Sequence, residues 1–116
     1  MFIDGTIIME RKESNIMKNI SFHDQEILDL KINNNNLTLI TNDDLGKQYT
    51  FSIKNARIES NSIVNINEIK GSIIITLSYH QFESEENYIH LEIANKNSPF
   101  NDEFYIYSND INISKN

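Results

Sequence analysis

Apolar and polar residues alternate one by one along most of this chain, and this period of two constrains the fold more than any other feature. The alternation runs through residues 28–32, 37–39, 49–53, 73–79, 89–93 and 104–106. Because successive side chains of a β-strand point to opposite faces of the sheet, the pattern is typical of strands buried on one side. It predicts a mainly β protein of about seven or eight antiparallel strands, folded as a sandwich or a curved, partly closed sheet, with at most a short N-terminal helix.

The spacing of the predicted strands indicates how the sheet begins and which residues form its core. Short polar reversals join the first three strands and predict an antiparallel meander. The three isoleucines at 73–75 predict a central strand that is covered on both faces. Residues 56–69 are less regular and predict one or two short strands. The predicted core consists of Leu28, Leu30, Ile32, Leu37, Leu39, Tyr49, Phe51, Ile53, Ile73, Ile75, Leu77, Ile89, Leu91, Ile93, Phe104 and Ile106.

The length of the chain matches the usual size of one domain, and we expect residues 1–116 to form a single β domain. Residues 1–20 fit the alternation least. They allow an edge strand with Gly5 at a bulge, a short appended helix or a loose extension. Residues 21–24 (Ser-Phe-His-Asp) have the form of a capping box with Asp in place of Glu, which could open a helical turn.

The composition excludes several classes of chemical site. Without cysteine, the chain can form neither a disulfide nor a thiolate metal site. Its three glycines are too few for a phosphate-cradling loop, and no serine lies in a glycine-flanked nucleophile elbow. The carboxylate pairs Asp43-Asp44 and Glu85-Glu86 fall in predicted turns, where water keeps their charges apart. We therefore expect no enzymatic activity and no cofactor.

The sequence also indicates where such a chain would work. No apolar run approaches the ~20 residues that a membrane-spanning helix needs. Residues 1–5 lack the basic region and the long apolar stretch of a secretory signal. We therefore expect no membrane partner and a cytoplasmic location.

The net charge limits the partners that the surface can attract. Seventeen Asp and Glu residues oppose ten Lys and Arg residues, which gives a formal net charge of -7. Such a surface repels the phosphate backbone of nucleic acids, so we expect no nucleic-acid binding. A basic protein would instead be drawn in by long-range attraction. The plainer interpretation is that the charge only keeps the protein in solution.

The adjacent pair His23 and Asp24 has a catalytic and a structural interpretation. In metal-dependent phosphohydrolases with a His-Asp motif, the doublet lies on a helix and neighbouring helices supply further ligands. This chain has three histidines and no predicted helical scaffold to present them. The structural interpretation, which we favour, is that His23 anchors a turn while Asp24 accepts hydrogen bonds from backbone N–H groups.

His80 and His90 are the weak candidates for metal ligands. If their hairpin closes symmetrically around Glu85, the two imidazoles lie opposite each other, with Glu92 next along the same face. Cross-strand neighbours are ~5 Å apart at Cβ, close enough to share a metal ion. A change of register would separate the two side chains. The plainer interpretation is a pair of polar residues on a solvated face.

Tyrosines near the C-terminus are the candidate partner-binding residues. Tyr105 and Tyr107 alternate with predicted core residues, so both should point outward, near Tyr88 if the two strands pair. Tyrosine is a favoured anchor at protein interfaces because it combines an apolar ring with a polar tip. With the nearby acids Asp102 and Glu103, this group would suit a basic, partly apolar partner. The alternative is ordinary cross-strand tyrosine pairing or a second covered face of the sheet.

Residues 22–32 also resemble a known protein family. The stretch Phe22-His23-Asp24-Gln25-Glu26-Ile27-Leu28 is similar to a Phe/Leu-His-Asp-x-Glu-Ile/Leu-Leu motif that precedes the first long strand of small bacterial β proteins. Among these is the immunity protein fifty family of polymorphic toxin systems. The resemblance covers residues 21–113 in outline, and its specific identities lie within 22–30. It implies a protein that binds and neutralises a toxin without chemistry, and it transfers no toxin-contacting position.

Three functions therefore remain open from the sequence. The first is an acidic protein-binding module, most concretely an immunity protein with a basic toxin domain as its partner. The second is a structural or regulatory accessory domain. The third is a small metal-binding or ligand-binding protein that uses His80 and His90. The sequence leaves the identity of the partner, the strand order and the oligomeric state open.

Overall fold

The computed structural model describes residues 6–7, 20–62, 64–83, 86–94 and 99–116. The strands are β1 (Thr6–Ile7), β2 (Ile20–Ser21), β3 (Ile27–Asn33), β4 (Asn36–Asn42), β5 (Gln48–Lys54), β6 (Arg57–Ser60), β7 (Ile74–His80), β8 (Tyr88–Ile93), β9 (Asp102–Tyr107) and β10 (Asp110–Lys115). Eight of them, β3 to β10, form two antiparallel sheets of four strands each, and neither sheet closes into a barrel. The predicted fold class is confirmed, and its form is a β-sandwich.

The first sheet has the strand order β10-β5-β4-β3 and contains the predicted meander. Asn34 and Asn35 join β3 to β4 with φ angles of +51° and +68°. Two consecutive positive φ angles are typical of a type I′ turn, and asparagine adopts them more readily than most residues. In the next connection, Oδ1 of Asp43 accepts hydrogen bonds from the N–H groups of Leu45 (2.9 Å) and Lys47 (2.8 Å). Both reversals are short and polar, as the sequence predicted.

The second sheet has the strand order β6-β9-β8-β7. The chain leaves the first sheet after β5, enters the second at its edge strand β6, and returns to the first with β10, directly after β9. β7 is the other edge strand of this sheet, and β1 lies against it. The prediction that residues 73–75 belong to a central strand is therefore wrong. The predicted coverage on both faces is found further along the same strand, where five consecutive residues, 76 to 80, are buried.

The connection between β6 and β7 contains a 3₁₀ turn, Ile66–Glu68. Asn65 opens it with a capping box, in which its side chain accepts backbone hydrogen bonds while the Glu68 carboxylate accepts one from the N–H of Asn65. Of the one or two short strands predicted over residues 56–69, one strand (β6) is found, and this turn follows it.

The core lies between the two sheets. Most of the predicted core residues are buried there, namely Leu30, Leu37, Leu39, Tyr49, Phe51, Ile53, Leu77, Ile89, Leu91, Ile93, Phe104 and Ile106. Leu28, Ile73 and Ile75 are only half-buried, so their prediction as core residues is wrong. Ile32 is 39% exposed because it lies one residue before the end of the edge strand β3, and its prediction as a core residue is also wrong.

Two β-bulges explain why the alternation misplaces residues in β3 and β7. The register shifts between Ile27 and Asp29 in β3, and between Ile74 and Thr76 in β7. A bulge adds one residue to one strand, so the alternation changes phase at that point. As a result Ile27 and Ile74, each 0% exposed, fill the core in place of the residues that follow them.

The start of the chain is partly described. β1 pairs with β2 in an antiparallel arrangement, with Thr6 opposite Ser21 and Ile7 opposite Ile20. Of the alternatives for residues 1–20, a strand is therefore found at Thr6–Ile7. The predicted bulge at Gly5 lies outside the described residues. So do residues 8–19, for which a short helix or a loose extension was also predicted.

Candidate protein-binding face

The three candidate tyrosines lie together on the outward side of the second sheet. Burial alternates along β9, so that Tyr105 and Tyr107 point outward while their neighbours enter the core. Tyr88 of β8 is paired with Tyr107, and its ring centroid lies 5.3 Å from that of Tyr107 and 6.1 Å from that of Tyr105. The predicted proximity is confirmed. We call the outward-facing residues of β6, β8 and β9 the tyrosine face, which comprises Arg57, Glu59, Tyr88, His90, Glu92, Glu103, Tyr105 and Tyr107.

Asp102 does not belong to the tyrosine face. It has the same parity along β9 as the core residue Phe104, and it is 7% exposed. Its carboxylate accepts a hydrogen bond from Oγ of Ser62, and that oxygen in turn accepts one from the N–H of Val64. Asp102 therefore fixes the chain that follows β6, and its prediction as a partner-binding residue beside Glu103 is wrong.

One end of the tyrosine face holds a cation. The guanidinium carbon of Arg57 lies 4.3 Å from the ring centroid of Tyr107, directly across the β6–β9 pair. The same guanidinium donates hydrogen bonds to Glu86 (2.9 Å) and Glu59 (2.5 Å). The hydrogen bond to Glu86, and with it the one to Glu59, raises the pKa of Arg57. An aromatic ring and two carboxylates thus surround one positive charge.

The centre of the face consists of Tyr105 and His90. Their rings are stacked across β8 and β9, with centroids 4.6 Å apart and planes 16° from parallel. Nε2 of His90 lies 2.9 Å from Oε1 of Glu103. The histidine side chain is 4% exposed and that of Glu103 is 33% exposed, so the carboxylate lies between the buried imidazole and water. Desolvation by burial, followed by the negative charge of Glu103, raises the pKa of Tyr105.

The other end of the face carries two carboxylates directly opposite each other, Glu92 of β8 and Glu103 of β9. Glu92 accepts hydrogen bonds from Oγ1 of Thr76 (3.2 Å) and Nδ2 of Asn101 (2.8 Å). The oxygen of Glu103 that does not meet the imidazole accepts a longer one from Nδ2 of Asn61 (3.4 Å). Within the described ranges, neither carboxylate forms an ion pair with a lysine or an arginine. Opposed like charges destabilise a strand pair, so this arrangement has a local cost.

His80 and His90 do not face each other. The register of β7 and β8 pairs His80 with Tyr88 and Ser78 with His90, two residues away from the register that would bring the imidazoles together. The predicted His80–His90 pair is therefore wrong. Each histidine is 3% exposed, so the plainer prediction of a solvated pair is wrong as well. His80 stacks on Tyr88 with ring centroids 4.5 Å apart, and its Nε2 lies 3.1 Å from Oγ of Ser78. Among the residues that the structure describes, no three His, Asp or Glu side chains lie close enough to share a metal ion.

Phe22, the first residue of the family-like motif, belongs to the core. It is 0% exposed, and its ring centroid lies 5.4 Å from that of Tyr49 and 5.6 Å from that of Phe51 in edge-to-face contacts. No helix begins here, so the helical turn predicted from residues 21–24 is wrong; a single turn closed by the N–H of Gln25 takes its place.

His23 and Asp24 fasten this segment to the second sheet. Nδ1 of His23 lies 2.8 Å from the carbonyl oxygen of Ile75, within the bulge of β7. Because a carbonyl only accepts, Nδ1 carries the hydrogen. Asp24 has a φ of +65° and donates its N–H to the carbonyl of Ile74 (2.8 Å). His23 therefore anchors the turn, as the structural interpretation predicted. The carboxylate of Asp24 is 72% exposed and lies 3.5 Å from Nε2 of His23. Among the described residues no backbone N–H donates to this carboxylate, so the prediction that Asp24 accepts hydrogen bonds from backbone N–H groups is wrong.

The outward side of the first sheet differs in chemistry. Its four strands β3, β4, β5 and β10 carry mainly small hydroxyl and amide side chains, with one isoleucine and a few charged residues of both signs. The uncharged residues at its centre are Thr38, Ile40, Thr50, Ser52, Asn112 and Ser114, and the charged residues are Asp29, Lys31, Lys54 and Asp110. Among the described strands, the outward-facing aromatic rings lie on the opposite side of the sandwich, which makes the tyrosine face the candidate for recognition.

A small cavity remains inside the core, with a volume of about 10 Å³. Its lining is wholly apolar and comes from both sheets: Leu37, Leu39, Phe51, Ile53, Leu77, Ile89, Leu91 and Ile106. The space is about that of one water molecule, and the lining offers no hydrogen-bond partner. It is a gap in side-chain packing and not a ligand site.

Sequence reasoning missed Arg57 and Glu59 as members of the face. Both lie in β6, within the irregular stretch for which the sequence predicted no specific strand. The alternation of Arg57, Ile58 and Glu59 was the signal that could have placed the two charged side chains outward.

No protein-family model, curated protein or solved structure matches this chain. Among the described residues, no helix is both long enough and apolar enough to cross a membrane.

Proposed function

We propose that this protein is a non-catalytic binding module that holds a basic protein partner on the tyrosine face, and that the partner is a bacterial toxin whose action the binding blocks. The observation that carries the proposal is the contrast between the two outward sides of the sandwich. One side carries small polar side chains with a few charges of both signs, and the other carries three clustered tyrosines among glutamates. Tyrosine is enriched where proteins meet, whereas small hydroxyl residues are not.

The packing of the tyrosines suits them to be anchors. Tyr88, Tyr105 and Tyr107 are half-buried, and they contact one another and the histidines beside them. Side chains held in this way lose little conformational entropy when a partner covers them. They can contribute apolar area and hydroxyl hydrogen bonds at low cost.

The charge of the face supports a basic partner. Glu59, Glu92 and Glu103 lie on it, and its arginine is already bound to carboxylates of this chain. The protein as a whole carries a net charge of -7. A positively charged protein would be steered towards this surface, and its association rate would depend on salt.

A toxin is the partner that the family resemblance favours. Residues 22–30 resemble the motif of immunity protein fifty, and proteins of that kind act by covering a toxin. Phe22 and His23 serve the scaffold, so the motif and the tyrosine face are separate parts of the molecule. A rigid sandwich that presents one complementary face needs no chemistry for this task.

Charge reversal at Glu59 tests the proposal. Glu59→Lys places a positive charge at an exposed position of the face, and the matched control Asp44→Lys makes the same change in the exposed turn after β4. Wild type and both variants are immobilised and exposed to a lysate of the source organism, and captured proteins are identified, purified and titrated by calorimetry. We expect a basic partner that binds wild type and Asp44→Lys alike and binds Glu59→Lys at least about tenfold more weakly.

Two further measurements complete the test. Raising the salt concentration from about 0.05 M to about 0.5 M should weaken the binding, because the Debye length shortens. Expression of the partner should arrest growth, and co-expression of wild type, but not of Glu59→Lys, should restore it. Equal affinity for wild type and Glu59→Lys would refute the tyrosine face as the binding surface. A partner that has no effect on growth would refute the toxin.

A further inference from the structure

We infer that the tyrosine face contains a receptor for one arginine side chain of the partner, formed by the ring of Tyr105 and the carboxylates of Glu92 and Glu103. The inference rests on the proposed function and names the chemical group that this surface recognises. The group bound at this site is the guanidinium of an arginine that belongs to the partner protein.

The neighbouring position on the same face already binds a guanidinium. Arg57 lies over the ring of Tyr107, at 4.3 Å from its centroid, and donates to the carboxylates of Glu59 and Glu86. One aromatic ring and two carboxylates are therefore sufficient here to hold one arginine. Because both of those carboxylates bond to Arg57, this first position is occupied from within the chain.

The same set of groups recurs two residues earlier along β9. Side chains two positions apart in a strand point to the same side, so Tyr105 and Glu103 continue the row that begins at Tyr107. Glu92 lies directly opposite Glu103 and supplies the second carboxylate. Among the described residues, the bonds to these carboxylates come from a threonine, two asparagines and a histidine, and none comes from a lysine or an arginine.

The opposed carboxylates also indicate that the ligand carries a positive charge. Like charges directly across a strand pair are destabilising, and local rules of this kind are commonly broken at functional sites. The negative charge of Glu103 and Glu92 reaches the ring of Tyr105, since both contribute, after burial, to raising its pKa. A cation that bridges the two carboxylates would remove their repulsion.

Arginine fits this arrangement better than lysine does. A guanidinium is planar, it presents several N–H donors in a fixed fork, and it stacks on aromatic rings. It can therefore donate to both carboxylates while its plane lies against the tyrosine. An ammonium is a compact, strongly hydrated charge that gains less from the ring. A divalent metal ion is the other occupant that two carboxylates could take, and the test includes it.

Titration with a single amino acid derivative tests the receptor directly. N-acetyl-arginine amide carries one positive charge and no charged termini, and the matched probes are N-acetyl-lysine amide, the neutral N-acetyl-citrulline amide, and calcium chloride. The readout is the NMR signals of the Tyr105 ring and of the Glu92 and Glu103 carboxyl carbons. We expect saturable shifts with the arginine probe in the millimolar range, weaker shifts with lysine, and no shifts with citrulline.

Conservative variants then assign the contacts. Glu92→Gln and Glu103→Gln keep the shape of each side chain and remove one charge, and each should weaken binding of the arginine probe about tenfold. Asp44→Asn removes the same charge outside the face and should leave the affinity unchanged. Glu92→Gln should not lower the urea midpoint, because it also removes the repulsion with Glu103, so its loss of binding cannot come from unfolding.

Three results would overturn the receptor. The first is calcium binding at the two carboxylates without an effect of the arginine probe. The second is shifts confined to the Tyr107 ring, where the probe would merely replace Arg57. The third is unchanged affinity in both glutamine variants. If the partner still loses affinity on Glu59→Lys while the arginine probe causes no shift, the binding face stands and the receptor fails. If no partner depends on Glu59, the proposed function fails.

Discussion

The bulge in β7 can be tested by comparing Ile74→Ala with Ile75→Ala, two identical substitutions at adjacent positions of one strand. Ile74 is 0% exposed, whereas Ile75 lies in the bulge and is half-buried. Truncating a fully buried isoleucine to alanine costs the lost transfer free energy plus a cavity, about 3–5 kcal/mol at a site that cannot collapse. Removing a half-buried side chain that faces away from the core should cost about 1 kcal/mol. Because both positions lie in the strand, the loss of β-propensity is similar and largely cancels in the comparison.

Urea unfolding followed by far-ultraviolet circular dichroism measures both free energies. The chain contains no tryptophan, so intrinsic tyrosine fluorescence provides the second probe that tests for two-state behaviour. We expect Ile74→Ala to lower the free energy of unfolding by at least about 2 kcal/mol more than Ile75→Ala, with similar m-values. Strict alternation without a bulge, with Ile73 and Ile75 inward, gives the opposite order. Equal losses, or a larger loss for Ile75→Ala, would refute the placement of the bulge.

Two other substitutions test the core. Leu77→Asp should unfold the protein, because Leu77 is 1% exposed and an unpaired buried carboxylate costs several kcal/mol, against a typical free energy of unfolding of about 5–15 kcal/mol. A soluble variant with a cooperative melt would contradict this. The control is Asn112→Asp, which places the same charge on the exposed side of β10. Burial raises the pKa of Tyr79 above 10.0, and desolvation does the same for Tyr49 and Tyr105. Their stabilising contribution is therefore complete below about pH 10 and is lost as the pH rises through the raised folded-state values. Urea unfolding at several pH values should show stability falling above pH 10, less steeply in Tyr79→Phe, and identical slopes would contradict the burial.

The fold class could be predicted from the sequence because apolar and polar residues alternate in every strand that is buried on one face. The positions of the bulges could not be predicted, and the residues at the bulges show why. Ile27-Leu28 and the run of isoleucines at 73–75 are apolar at consecutive positions, so a shift of one residue still places an apolar side chain inward. The alternation of apolar and polar residues cannot show where a bulge adds a residue if all the neighbouring residues are apolar.

The candidate site was partly predictable for a related reason. Tyr105 and Tyr107 alternate with the apolar residues of β9, and this alternation correctly predicted that both rings point outward. The same alternation places Asp102 on the inward side with Phe104, which the sequence prediction overlooked. The register of the β7–β8 hairpin was not predictable, because several polar residues separate the strands and none of them dictates where the chain reverses. The stacking of His90 under Tyr105 depends on that register.

The return of the chain to the first sheet has a consequence for how the sandwich forms. β10 completes that sheet by pairing Asp110 with Lys54, 56 positions earlier in sequence (110 − 54). Until it arrives, the meander of β3 to β5 ends in an open strand edge, and the chain between β5 and β10 must first cross to the opposite layer. Contacts so distant along the chain carry a large loop-closure entropy, and sandwiches of this kind commonly fold in milliseconds to seconds. The two layers are therefore kinetically interdependent, and docking of β10 is expected to accompany the assembly of the second layer.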